Sequence, residues 1–243
     1  MVINLILKDI VKEDKFNTIN LLGMIDEAIK NNITRMVISP VYYEESSKTS
    51  INEVKIIVDA LNEYLEENNL NLKLYSANLI RDNFASLKDY INGNIGKLGE
   101  TDYVLLNVEE SEDINELIEI IYEFNLRNVI PILIGVERIN EVKDNYKKIE
   151  KLLNEECLFM LDPCALKGEY GKKVQKVTKI LLKNKLYRFI GFEDKIKGEY
   201  LTSEVQEIGK KSLLNLNNTK GAKVNLNYKK KIKTGVFSKL IYI

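Results

Sequence analysis

Short apolar, β-branched runs alternate with longer stretches of helical period almost to the end of this chain. The runs Val2–Leu7, Arg35–Ser39, Leu72–Ser76, Asp102–Asn107, Val129–Ile134, Leu158–Leu161 and Arg188–Phe192 have the length and side-chain types of strands. Helices are predicted between them near Thr18–Asn31, Ile51–Asn68, Ile114–Asn125, Tyr146–Asn154 and Tyr170–Asn184. Ile19, Leu22, Ile25 and Ile29 form one stripe of the first helix, and Ile114, Leu117, Ile118 and Ile121 repeat that spacing. The run Val129-Ile130-Pro131-Ile132-Leu133-Ile134 is apolar without alternation, as expected of a strand covered on both faces. Seven strands alternating with helices predict parallel βα units, in either a doubly wound sheet or a barrel. The pattern alone does not choose between them. Asn92–Gly99 and Asn215–Gly221 are turn-like, and Gly93, Gly96 and Gly99 do not follow the dinucleotide-binding spacing.

Composition narrows the chemistry. A chain of 243 residues fits one large α/β domain. It contains no histidine, which excludes histidine metal sites, Ser-His-Asp triads and histidine acid–base catalysis together. Lys+Arg and Asp+Glu each number 36, and this balance argues against nucleic acid as a partner. Cys157 and Cys164 have neither a C-x-x-C spacing nor the Cys-x5-Arg pattern of a phosphate loop, so they are expected in or near the core. No apolar run approaches a transmembrane span and no signal-peptide pattern opens the chain, so a cytoplasmic location is expected.

Several local strings carry a resemblance. Asp162 through Lys173 reads DPCALKGEYGKK, Ile130-Pro131-Ile132 precedes Glu137-Arg138, Ser39-Pro40 precedes Tyr42, and Arg188-Phe189-Ile190 leads into a late acidic position. With the order of the segments, these resemble the bacterial PHP-domain tyrosine phosphatases of the capsule type over roughly residues 1–218. The resemblance implies a distorted TIM-like (β/α)7 barrel for residues 1–218, with residues 219–243 as a basic tail packed on it or extending from it. It also implies a metal cluster, usually manganese, at the C-terminal ends of the strands, where water is activated against phosphotyrosine on a kinase controlling polysaccharide export.

The departures fall on the ligands. The family's opening histidine pair falls on Leu5 and Leu7, and two further histidines fall on Val41 and Gly135. Two carboxylates fall on Asn78 and Asn107, while the late Asp-x-His pair becomes Glu193 and Lys195. Leu5 and Leu7, two apart on a strand, share a side, which the resemblance makes the former metal pocket. Leucine has no lone pair and asparagine is a weak neutral ligand, so neither a bound metal nor another cofactor is expected. Lys195, pointing inward, would neutralise Glu193.

The expectation is a non-catalytic relative retaining the barrel as a binding or regulatory module, with a tyrosine kinase or polysaccharide-assembly protein as its partner. Its vestigial pocket would comprise Arg138, Glu193, Lys195, Tyr42, Asn78 and Asn107. Arg138 beside Glu137 either holds a phosphate group or forms an internal ion pair. Tyr42 and Tyr43 either line a groove or pack at the rim. The alternative is a metal-independent hydrolase using Glu193 as base and Lys195 or Arg138 as electrophile. Glu109 through Asp113 is read as the acidic first turn of a helix.

Overall fold

The structure is a computed structural model that describes residues 1–7, 11–12, 15–16, 18–43, 48–109, 111 and 113–217. The strands are β1 (Val2–Leu7), β2 (Val11–Lys12), β3 (Lys15–Phe16), β4 (Arg35–Tyr42), β5 (Lys73–Ser76), β6 (Leu79–Arg81), β7 (Tyr103–Asn107), β8 (Ile130–Ile134), β9 (Leu158–Leu161) and β10 (Tyr187–Glu193). The helices are α1 (Thr18–Lys30), α2 (Ile51–Glu67), α3 (Phe84–Ile91), α4 (Ile114–Asn125), α5 (Asn140–Asp144), α6 (Ile149–Leu153), α7 (Pro163–Lys167), α8 (Lys172–Lys183) and α9 (Ser203–Asn217). No helix among the described residues is long and apolar enough to cross a membrane.

The main sheet runs β1-β10-β9-β8-β7-β6-β4, and β1 also pairs with β4, so the ring closes. Every pairing around it is parallel. This is a seven-stave β/α barrel, and the doubly wound alternative falls away. One stave is split. The first half of β4 pairs with β5 (Arg35 opposite Lys73 to Ile38 opposite Ser76), and its end pairs with β6 (Val41 opposite Leu79). The Ala77 N–H donates to the Ile38 carbonyl at 3.0 Å and carries the register across the break.

Two apolar layers follow from the alternation of side chains along each stave. Ile6, Val37, Val41, Leu105, Ile132, Met160 and Phe189 meet in a cluster that contains no helical residue and fills the barrel. Leu5, Leu7, Met36, Ile38, Leu106, Phe159 and Phe192 belong to the larger layer, packed with Ile25, Val54, Ile121 and Val177 of the helices. The expectation that Leu5 and Leu7 face the pocket is therefore corrected: Asn4 and Ile6 face inward instead. The polar interior explains the choice, because the Asn4 amide reaches Met160 Sδ at 3.5 Å and Ser39 Oγ at 2.7 Å. Opposite Asn4 lies Gly191, where a Cβ would come within 2.5 Å of Met160 Sδ, so only glycine leaves Met160 its place in the barrel.

Helix starts follow local chemistry. Ser50 caps α2 with a full capping box: Glu53 N–H donates to Ser50 Oγ, while the Ser50 N–H donates to Glu53 Oε2 at 2.7 Å. A Ser50→Ala chain is expected to lose about 1 kcal/mol in urea denaturation, with the slope of the transition unchanged. The acidic first turn expected at Glu109 through Asp113 is corrected: α4 begins at Ile114, Asp113 is its N-cap through the Asn115 N–H at 2.8 Å, and Glu109 lies outside the helix. The turn predicted from Asn215 is corrected, since α9 continues through Asn217. That helix packs along β10 and β1, with Val205 fully buried and Ser212 Oγ donating to the Arg188 carbonyl at 2.7 Å. The basic tail, including Lys229 to Lys233, lies outside the described residues.

Candidate functional site at the barrel mouth

Because the staves are parallel, their C-terminal ends collect at one rim, where this architecture carries its sites. Asn107 ends β7, Glu193 ends β10, Asp162 follows β9, and a 3-10 turn, Val136–Arg138, follows β8. Arg138 is the centre of this rim and is only 8% exposed. Its Nη1 lies 2.8 Å from Glu109 Oε2 and 3.3 Å from Glu193 Oε1, and Nη2 lies 3.4 Å from the same Glu193 oxygen. The Tyr170 ring covers the guanidinium, 4.6 Å from its carbon, and the Tyr170 hydroxyl donates to Asp162 Oδ2 at 2.7 Å. Asp162 also caps α7 through the Cys164 N–H at 2.8 Å.

A second arm joins from β4, β6 and β7. The Asn107 amide donates to Tyr43 Oη and to Glu109 Oε1, both at 2.9 Å. The Arg81 guanidinium lies over the Tyr43 ring at 4.7 Å. The chain Arg81–Tyr43–Asn107–Glu109–Arg138–Tyr170–Asp162 thus runs across the mouth without a break.

Behind it, Glu137 is fully buried, with Oε2 accepting from Tyr187 Oη at 3.2 Å and Oε1 lacking a hydrogen-bond partner. Burial pushes its carboxyl up to about 7, against the opposing pull of Arg138. Burial likewise raises Asp162, only partly countered by the Tyr170 hydroxyl and the Cys164 N–H. For Arg138, burial opposes the charge, but Glu109, Glu137 and Glu193 more than offset it and hold the guanidinium protonated. Burial pushes the Cys164 thiol up to about 12, which suits a near-core residue and disfavours a thiolate nucleophile.

Of the residues expected in the pocket, Arg138, Glu193 and Asn107 come together. Three do not. Tyr42 points to the helix side of β4, and its neighbour Tyr43 takes the place at the mouth. Asn78 is a buried strut at the split stave, donating to the Thr49 carbonyl at 3.0 Å and accepting from the Gly96 N–H at 3.1 Å. Lys195 is exposed and, among the described residues, makes no ion pair with Glu193. The cause is Asp194, whose φ of +50° breaks the strand alternation just before it. The hydrolase alternative loses its lysine by this correction.

Glu109, Asp162 and Tyr170 were not singled out as site residues. Asp162 and Tyr170 lie in the quoted DPCALKGEYGKK string, and Glu109 ends the strand–acid sequence after β7.

The metal cluster implied by the resemblance can be tested against these side chains. Among the described residues, no group of three or more His, Cys, Asp or Glu is placed to hold a metal ion. At Gly135, a Cβ would lie 3.0 Å from both Arg138 Nε and Glu109 Cβ, so the arginine fills the space beside the expected histidine position. Glu109 and Glu193 already face a fixed cation. The donor set does not fit the metal cluster.

Fold and rim together define a seven-stave parallel β/α barrel with a polar mouth organised by arginine. The family model for capsular polysaccharide synthesis, CpsB/CapC, matches residues 14–219, and the chain belongs to that family. It is 26% identical over 169 residues to the tyrosine-protein phosphatase CapC of Staphylococcus aureus, a match covering 70% of this chain and 66%, just under two thirds, of that protein. Its fold matches a chain from the crystal structures of YwqE from Bacillus subtilis and CpsB from Streptococcus pneumoniae, metal-dependent tyrosine phosphatases, with a TM-score of 0.66 and 19% identity over 87% of this chain and 83% of that one. Histidinol phosphate phosphatase from Lactococcus lactis, solved with zinc, L-histidinol and phosphate, matches with a TM-score of 0.56 and 10% identity over 86% and 93%.

Proposed function

We propose that this CpsB/CapC-family chain has given up metal-dependent phosphotyrosine hydrolysis and serves capsular polysaccharide synthesis as a cytoplasmic binding or regulatory module. Its partner in this proposal is a tyrosine kinase or another polysaccharide-assembly protein. The observation that carries the reading is the donor set at the mouth, where Gly135 and Asn107 stand at positions that the resemblance assigns to a histidine and a carboxylate, and Glu109 and Glu193 are already paired with Arg138. An asparagine amide and a glycine offer no anionic or imidazole ligand, and the guanidinium that faces Glu109 and Glu193 can neither ionise a water nor accept one as a ligand. No histidine elsewhere in the sequence can substitute as acid or base.

The purified chain is expected to release no phosphate from a phosphotyrosyl peptide with manganese, magnesium, zinc or iron. It is expected to co-purify with a product of a neighbouring gene. Manganese-dependent turnover that scales with enzyme and is lost in Glu193→Gln would overturn the first half. Absence of binding to every neighbouring gene product would overturn the second.

A further inference from the structure

Charge divides this sequence unevenly. All 36 acidic residues lie within 1–217 with 29 of the 36 basic ones, while the other seven are lysines of residues 218–243. Lys229, Lys230, Lys231 and Lys233 lead into Val236, Phe237, Leu240 and Ile241, with no acid among them. Residues 220–243 lie beyond the stretch that the family model matches. The barrel carries a face of the opposite kind. Helix α2 buries Val54, Val58, Leu61 and Leu65 and turns Ile56, Ala60 and Tyr64 outward in one i, i+4, i+8 row. Ile56 is 70% exposed and Tyr64 43%. Asp59, Glu63, Glu66 and Glu67 border that row, all exposed, and none of the four forms an ion pair among the described residues. Asp59, Glu63 and Glu67 repel one another at i, i+4 spacing. Glu66 and Glu67 stand in a last turn without a basic residue, at the negative end of the helix dipole. A cationic segment along this face would relieve both.

The reach is short. Ser212 bonds to Arg188 at the start of β10, so α9 delivers Asn217 to the N-terminal end of the barrel, where α2 also ends, ahead of β5. Helix α9 lies on β10 and β1, α2 lies on β4 and β5, and β1 pairs with β4. With α1 between them, the two helices are two helix spacings apart, about 20 Å. Residues 218–228 can span up to about 36 Å. We propose that the segment Lys229–Ile241 docks on the outer face of the chain's own α2. Lys229–Lys233 meet Glu63, Glu66 and Glu67 near the point where the segment arrives, and the apolar residues that follow cover Tyr64, Ala60 and Ile56. The order of charge and apolar surface along the segment then matches the order along the helix. This docking is independent of the chemistry at the mouth.

Zero-length carbodiimide cross-linking of the full chain tests this, on an equimolar mixture of unlabelled and nitrogen-15-labelled protein. Cross-links are expected from Lys229, Lys230, Lys231 or Lys233 to Asp59, Glu63, Glu66 or Glu67, and within chains of one label. An Ile56→Asn, Tyr64→Asn chain keeps every carboxylate, and its yield of those cross-links should fall by at least about fivefold. Both side chains are exposed, so the circular dichroism of that chain should match the wild type. Cross-links scattered over the acids of the barrel without preference for α2, or an unchanged yield in the double variant, would overturn the proposal. Mixed-label pairs would assign the face to a second copy. Sedimentation with phosphatidylglycerol vesicles in the absence of any α2 cross-link would assign the segment to a lipid surface. Either of these two results also overturns it.

Discussion

In a buffer free of divalent ions, Arg138→Met should lower the unfolding free energy by about 3–5 kcal/mol, among the largest losses any single substitution in this chain would cause. Methionine fills much of the same volume, so the loss comes from charge rather than from a cavity. It leaves Glu109 and Glu193 facing one another across a half-buried rim, with side-chain exposures of 26% and 19%, and removes the face on which Tyr170 rests. The triple chain Arg138→Met, Glu109→Gln, Glu193→Gln should recover most of that loss, because neutral amides need no counter-ion. Urea denaturation of the wild type, Arg138→Met, the Glu109→Gln, Glu193→Gln pair and the triple chain, taken as a cycle, measures this. If Arg138→Met proves as stable as the wild type, the rim is not organised by charge.

The second large effect concerns pH and belongs to Glu137. Its carboxyl is raised to about 7 in the fold by burial, from an ordinary value near 4.5. The folded chain therefore holds a proton that the unfolded chain has released. Stability from this group is fully present below the unfolded value and is lost as pH rises through about 7, by a total of about 3 kcal/mol. The groups that face it are Arg138 beside it, Asp162 beyond β9 and Tyr187 on β10, whose hydroxyl burial raises well above its ordinary value. Asp162 is raised as well and adds a loss of the same sign toward the acid end. The partly buried Glu141 and the exposed Asp144, Glu169 and Glu207 are lowered by their lysine partners, so their contributions run the other way and vanish only in acid. Glu137→Gln keeps an acceptor for the Tyr187 hydroxyl and removes the titration. Its melting temperature should stay level between pH 5 and 8, where that of the wild type falls. Parallel curves for the two chains would show that Glu137 does not titrate in this range.

The staves were legible in the sequence because each is a compact apolar run, and β9 and α4 fall on their expected limits. What could not be read is which face of a stave looks inward. Strands of a parallel barrel are buried on both sides, so β1 gives no polar–apolar alternation to orient it. The inward choice of Asn4 and Ile6 is fixed by Ser39 and Met160, residues 35 and 156 positions away. Tyr42 and Tyr43 exchange roles for the same reason. Lys195 depends on a single left-handed residue, Asp194, and nothing in the local sequence demands that conformation there. The short elements β6, α3, α5 and α7 were missed because three to eight residues carry too little period to stand out. Arg138 was legible as a candidate, with an internal ion pair among its possible roles. Its actual partners, Glu109 and Glu193, needed the rim to be assembled.

The pairing of β1 with both β4 and β10 has a consequence for how the chain is made. During synthesis from the N-terminus, β1 can meet β4 as soon as residue 42 has emerged, but its other edge waits for residues 187–193. Until then the nascent sheet presents raw edges at β1 and β9, rich in isoleucine, leucine and phenylalanine, which invite association with other chains. Arrival of β10 seals both edges at once and, in the same step, delivers Glu193 to Arg138. The last contact at the mouth is therefore also the seal on the ring.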